Sequence, residues 1–129
     1  MNLIVALDDN NGILFNHRRQ SRDEALRRDI LALTRGSKLY MSAYSARQFD
    51  PAGVTVSEDF LCLAGPGDYC FAESAVDTAL AERLIVYRWH RVYPADTYVS
   101  IDPKIWHLTS SRDFAGKSHE CITVEVYER

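Results

Sequence analysis

The sequence has no apolar run near the roughly 20 residues that a membrane-spanning helix requires. The run at its start, Leu3 to Leu7, has five residues. It carries no basic leader and is too short for a signal peptide, so a cytoplasmic location is expected. Cysteine is scarce and odd in number: Cys62, Cys70 and Cys121 are widely spaced and argue against a disulfide framework. Their neighbours are mostly apolar, so all three are expected as small core residues. The four histidines, His17, His90, His107 and His119, are isolated. With no Cys-x-x-Cys and no histidine pair at ligand spacing, no metal site is expected. The clustered His-x-His-x-Asp-His ligands of a ribonuclease Z-type nuclease are missing too. So is the Gly-x-Ser-x-Gly elbow, which removes the reading of Ser118-His119 as a hydrolase pair. There is no internal repeat, low-complexity tract or linker.

What is present suits one soluble globular domain spanning residues 1–129. The chain is 47% hydrophobic and 26% charged, ordinary values for that class. A formal net charge of −3 gives no global attraction to nucleic acid or anionic membrane. Leu3-Ile4-Val5-Ala6-Leu7 is short, rich in β-branched residues and ends on Asp8-Asp9-Asn10-Asn11-Gly12, the pattern of a strand followed by a sharp turn. Apolar character on both faces places that strand inside a sheet covered on both sides. Ser21 with Glu24 three residues on has capping-box spacing, and Leu26, Ile30 and Leu33 form the apolar stripe of the helix that follows. Arg35 and Gly36 would close it.

Lys38–Ser42 is a short strand by composition, a second helix is expected from Tyr44 to Phe49, and a third short helix from Ser74 to Ala81. Strands are expected at Tyr69–Phe71, Arg83–Trp89, Thr97–Ile101, Trp106–Ser110 and His119–Tyr127. In the last, Ile122, Val124 and Val126 share one face, with Cys121, Thr123, Glu125 and Tyr127 on the other. Strand and helix alternate first and strands then run in series. That order predicts an α/β three-layer α/β/α sandwich: a mixed sheet with antiparallel C-terminal strands.

Leu3 to Ile13 resembles the opening of dihydrofolate reductases, an apolar strand and then an Asn/Asp-x-x-Gly-Ile turn. A capped helix follows at the family's distance, and Lys38–Ser42 resembles its second strand. Asp96-Thr97, Trp106 and the closing segment Ser118–Arg129 resemble its C-terminal third. By that resemblance, counting on from Gly12 puts the family's catalytic acid at Glu24. Counting back from Thr34 gives Leu26, and the helix start supports Glu24. Ala6 and Tyr87 would line the substrate site, Tyr87 supplying the hydroxyl from the neighbouring strand, and Ser45 would stand for the threonine of the cofactor motif.

The same resemblance implies NADPH as cofactor, with the motif altered. Gly-Arg-x-Thr appears as Ser42-Ala43-Tyr44-Ser45, and the Gly-Gly pair as part of Phe71-Ala72-Glu73-Ser74. A glutamate there opposes a pyrophosphate and side chains obstruct backbone approach. Asp50–Asp68 is short and is expected to lack a full strand–helix–strand unit. The implied function is a divergent reductase-like protein without full reductase activity that binds a small planar heterocycle. The alternatives are a non-enzymatic binding or regulatory module, and an RNA-associated protein using the basic face from Arg18 to Arg28.

Overall fold

A computed structural model describes all residues, 1–129. Its centre is strand β1 (Asn2–Leu7), as its two-faced apolar character requires. Leu3, Val5 and Leu7 project into one core cluster, with Trp106, Phe60 and Val99. Ile4 projects into a second, with Leu26, Ile30, Phe49 and Phe71. Fully burying each such side chain contributes about 1.5–3 kcal/mol, so β1 alone anchors both faces.

The sheet has seven strands. To one side of β1 lie β6 (Tyr69–Phe71), β4 (Leu39–Met41) and the edge strand β5 (Thr55–Val56), all parallel to it. To the other lies parallel β7 (Arg83–Arg88), then antiparallel β10 (Ile122–Glu128), which pairs in turn with β9 (His107–Phe114). A three-stranded sheet of β2 (Gly12–Phe15), β3 (Arg18–Arg19) and β8 (Thr97–Tyr98) stands beside it. Helix α1 (Glu24–Leu33) covers the Ile4 face through Leu26 and Ile30. Short helices α2 (Ala43–Ala46) and α3 (Phe60–Leu63) follow β4 and β5. The mixed α/β sandwich with antiparallel C-terminal strands is the observed architecture. No helix is long and apolar enough to cross a membrane.

Several expectations are corrected. The N-cap of α1 is Asp23, whose carboxylate accepts from Ala25 N–H, so Ser21–Glu24 is no capping box. An aspartate one residue before the helix reaches the first-turn donors directly, which Ser21 does not. The helix ends on Thr34, whose hydroxyl donates to Ile30 O, and Gly36 follows at φ +85°. The second helix is one turn, and Ser74–Ala81 forms only a 3₁₀ turn at Thr78–Leu80. Asp50–Asp68 holds a two-residue strand and a four-residue helix but no second strand, short of a full strand–helix–strand unit as expected. Of the cysteines only Cys70 is core; Cys62 is exposed and Cys121 intermediate. Burial pushes the Cys70 thiol up to about 11, so it is unreactive.

Candidate functional site

The parallel strands deliver their C-terminal ends to one edge of the sheet, where open α/β folds place their ligands. Asp8 follows β1 there and is buried. It accepts N–H bonds from Gly12 at 2.8 Å, Asn10 at 2.9 Å and Tyr93 at 3.1 Å, and from Gln20 Nε2 at 3.1 Å. Burial raises its pKa, but these donors outweigh burial and hold the carboxyl below the usual carboxylate range. Gly12 is required at this crossing: a Cβ would stand 2.7 Å from both Ala95 Cβ and Gln20 Nε2.

Asp8 thus ties the 15–20 segment to the Tyr93 loop. Between them opens a cavity of about 450 Å³, walled by Phe15, Asn16, Arg18, Arg19 and Gln20 on one side and Tyr93 and Pro94 on the other. Phe15 is exposed into solvent, and Arg18 makes no ion pair. Gln20 Oε1 is buried without a hydrogen-bond partner.

Beside this cavity Asp23 forms a buried hub. Its carboxylate accepts from Ala25 N, Lys117 N, Ser118 N, the Ser118 hydroxyl and His119 Nδ1, at 2.8–3.1 Å. Burial raises its pKa, but the Lys117 amide, His119, and the Ser118 and Ala25 amides carry it far below the ordinary range. His119 lies stacked on Trp89 at 4.5 Å between ring centroids. With Nδ1 donating to Asp23, its Nε2 accepts from the Tyr93 hydroxyl at 2.9 Å and meets Ser21 Oγ at 3.3 Å. The fold therefore aligns Ser21, His119 and Asp23, residues that share no sequence motif. Tyr93 takes the shorter bond to Nε2, and the network ties the start of α1 to the turn before β10.

A second cavity, about 330 Å³, is lined by Ser42 and Tyr44 after β4, Glu58 after β5, and Glu73 and Ser74 after β6. Glu58 accepts from Ala43 N–H at 2.9 Å. Glu73 is held by Arg19 Nε at 2.9 Å and Gln48 Nε2 at 3.0 Å, and Arg19 stacks on the Tyr44 ring at 4.2 Å.

The structure distributes the predicted site residues as follows. Glu24 is the first residue of α1, exposed, and paired with Arg28 at 2.6 Å; it does not meet Tyr87. Tyr87 is fully buried and stands in register beside Ala6. Its hydroxyl donates to Asp29 at 2.6 Å, and Arg112 grips the same carboxylate at 2.8 and 2.7 Å. Burial, then the Asp29 bond and charge, raise the Tyr87 hydroxyl far above the ordinary tyrosine range. An acid from the first helix and a hydroxyl from β7 do pair, but the acid is Asp29. Its signal was available: it falls on the Leu26–Ile30–Leu33 stripe, a charge on an otherwise apolar face. Ser45 is buried, its hydroxyl turned to Ser42 Oγ at 3.4 Å. On the basic face, Arg19 and Arg28 are already committed to Glu73 and Glu24.

No family model matches the sequence, and no curated protein does. Among solved structures, a dihydrofolate reductase from Enterococcus faecalis, complexed with NADP(H) and RAB-propyl, superposes with a TM-score of 0.70. The match covers 99% of this chain and 95% of that one at 15% identity. The fold is dihydrofolate reductase-like.

Proposed function

We propose that the protein is a small-molecule-binding module on this scaffold that has lost nicotinamide-dependent reduction and binds a planar, anionic heterocycle beside Tyr93. One observation carries the loss. The segments that stand for the family's cofactor motifs, Ser42–Ser45 and Phe71–Ser74, line a common cavity, and Glu58 and Glu73 stand in it. Glu58 already occupies the Ala43 N–H. The pyrophosphate of the NADP(H) bound by the E. faecalis enzyme would face both carboxylates. Each opposed pair of charges at 4 Å costs about 1 kcal/mol in water and about 4 kcal/mol near a protein surface. That weakens binding roughly fivefold to a thousandfold at Glu58, while Glu73 is already paired with Arg19. The residues present do not fit the dinucleotide.

The cavity beside Tyr93 offers the complementary chemistry. Phe15 and Tyr93 supply aromatic surface and Arg18 an uncommitted cation. The ligand's contacts come from residues 15–20 and Tyr93 rather than from Glu24, Ala6, Tyr87 or Ser45.

Thermal-shift titration tests this. A ligand that binds only the folded state stabilises it by about 2.7 kcal/mol at a hundredfold excess over its dissociation constant. Folate should raise the melting temperature saturably, Arg18→Ala should weaken that response, and millimolar NADPH should leave the midpoint unmoved. A saturable NADPH shift would overturn the loss of the cofactor. A flat response to folate would remove the heterocycle.

A further inference from the structure

We propose that His90, Asp113 and Cys121 form a three-donor site for a zinc-class divalent cation. They are far apart in sequence, yet one donor atom from each lies within 4.8 Å of the others. His90 follows the end of β7, Asp113 is near the end of β9, and Cys121 directly precedes β10. The strand pairing sets this: Thr123 of β10 is opposite Arg88 on one side and Asp113 on the other.

The donor set selects the ion. Thiolate and imidazole suit zinc, whereas magnesium and calcium take oxygen donors. Zinc–donor bonds of about 2.0–2.3 Å put tetrahedral donors about 3.5 Å apart. Closing from 4.8 Å takes about an ångström, within reach of side-chain rotation at exposed His90 and Asp113. A cavity of about 230 Å³ adjoins the cluster, walled by Trp89, His90, Arg91, Glu120 and Cys121. It leaves room for water as a fourth ligand.

Thr123 supplies the support that metal-binding histidines commonly have. Its hydroxyl donates to Asp113 Oδ1 at 2.6 Å, so it must accept from His90 Nε2. With Nε2 engaged by Thr123, Nδ1 is the ring nitrogen left for the ion. His90 itself adopts φ +58° just after the end of β7.

The test is titration of the metal-stripped full chain with Co²⁺, then displacement by Zn²⁺ against a chromogenic chelator. One equivalent of Co²⁺ should produce a thiolate charge-transfer band that Zn²⁺ abolishes. Cys121→Ser should remove the band, and His90→Ala should weaken zinc at least tenfold. Cys62→Ser, at an exposed thiol outside the cluster, should change neither. Thr123→Val should keep the band and weaken zinc by about 10–100-fold, the usual effect of losing such a support. Absence of the band at one equivalent, or zinc affinity unchanged in both Cys121→Ser and His90→Ala, would overturn the assignment.

Discussion

Replacing Asp23 should cost far more than removing a helix cap. Its side chain is completely inaccessible and accepts from three backbone amides, a hydroxyl and an imidazole. Loss of an N-cap alone costs about 0.5–2 kcal/mol. Each of the four further buried donors left without an acceptor adds about 1 kcal/mol or more. Asp23→Ala should therefore lose about 4 kcal/mol. At a urea slope of about 2 kcal/mol per molar, the unfolding midpoint falls by about 2 M. Asp23→Ser separates the explanations: serine can cap Ala25 N–H but is too short to reach Lys117 and Ser118. It should lose at least about 3 kcal/mol, beyond the cap range. A loss under about 1 kcal/mol would refute the hub and leave Asp23 an ordinary cap.

The acid limb follows from the same group. The folded pKa of Asp23 is depressed, so its stabilisation is complete above the unfolded aspartate value of about 3.9 and is lost as pH falls below it. The stability gap between wild type and Asp23→Asn should narrow below about pH 4. A gap constant from pH 7 to pH 2.5 would count against a depressed pKa.

Two further substitutions test the geometry. Tyr87→Phe keeps the ring packed edge-on to Phe114 and leaves Asp29 with Arg112, so it should cost only about 1–2 kcal/mol by thermal unfolding. Tyr87→Ala should cost about 3–5 kcal/mol through the cavity it leaves; equal losses in the two variants would contradict the packing. Gly12→Ala forces a Cβ onto Ala95 and Gln20, which should cost about 1–3 kcal/mol and abolish the folate response by displacing Gln20 from Asp8. A variant as stable and responsive as wild type would show that the crossing is looser than 2.7 Å implies.

The architecture was legible in the chain because its signals are local. An apolar run on both faces makes β1 central, and alternation in Ile122–Tyr127 sends Ile122 and Val124 to the α1 face and Tyr127 to the other. The resemblance at Leu3–Ile13 pointed to the same fold. Apart from Asp29, a charge on the apolar stripe of α1, the sites were not legible, because their geometry depends on residues that only folding brings together. Asp23 prevails over Ser21 as the cap because its other partners, Lys117 to His119, arrive from the far end of the chain. The acid that meets Tyr87 is Asp29 rather than Glu24 because the seating of α1 on the sheet turns Asp29 toward β7 and Glu24 toward solvent. His90, Asp113 and Cys121 have no ligand spacing along the chain and converge only through the pairing of β7, β10 and β9. Periodicity and turn chemistry act over a few residues and so belong to the sequence. Which side chains share a charge, a proton or an ion is settled by strand register and helix seating, and those belong to the tertiary structure.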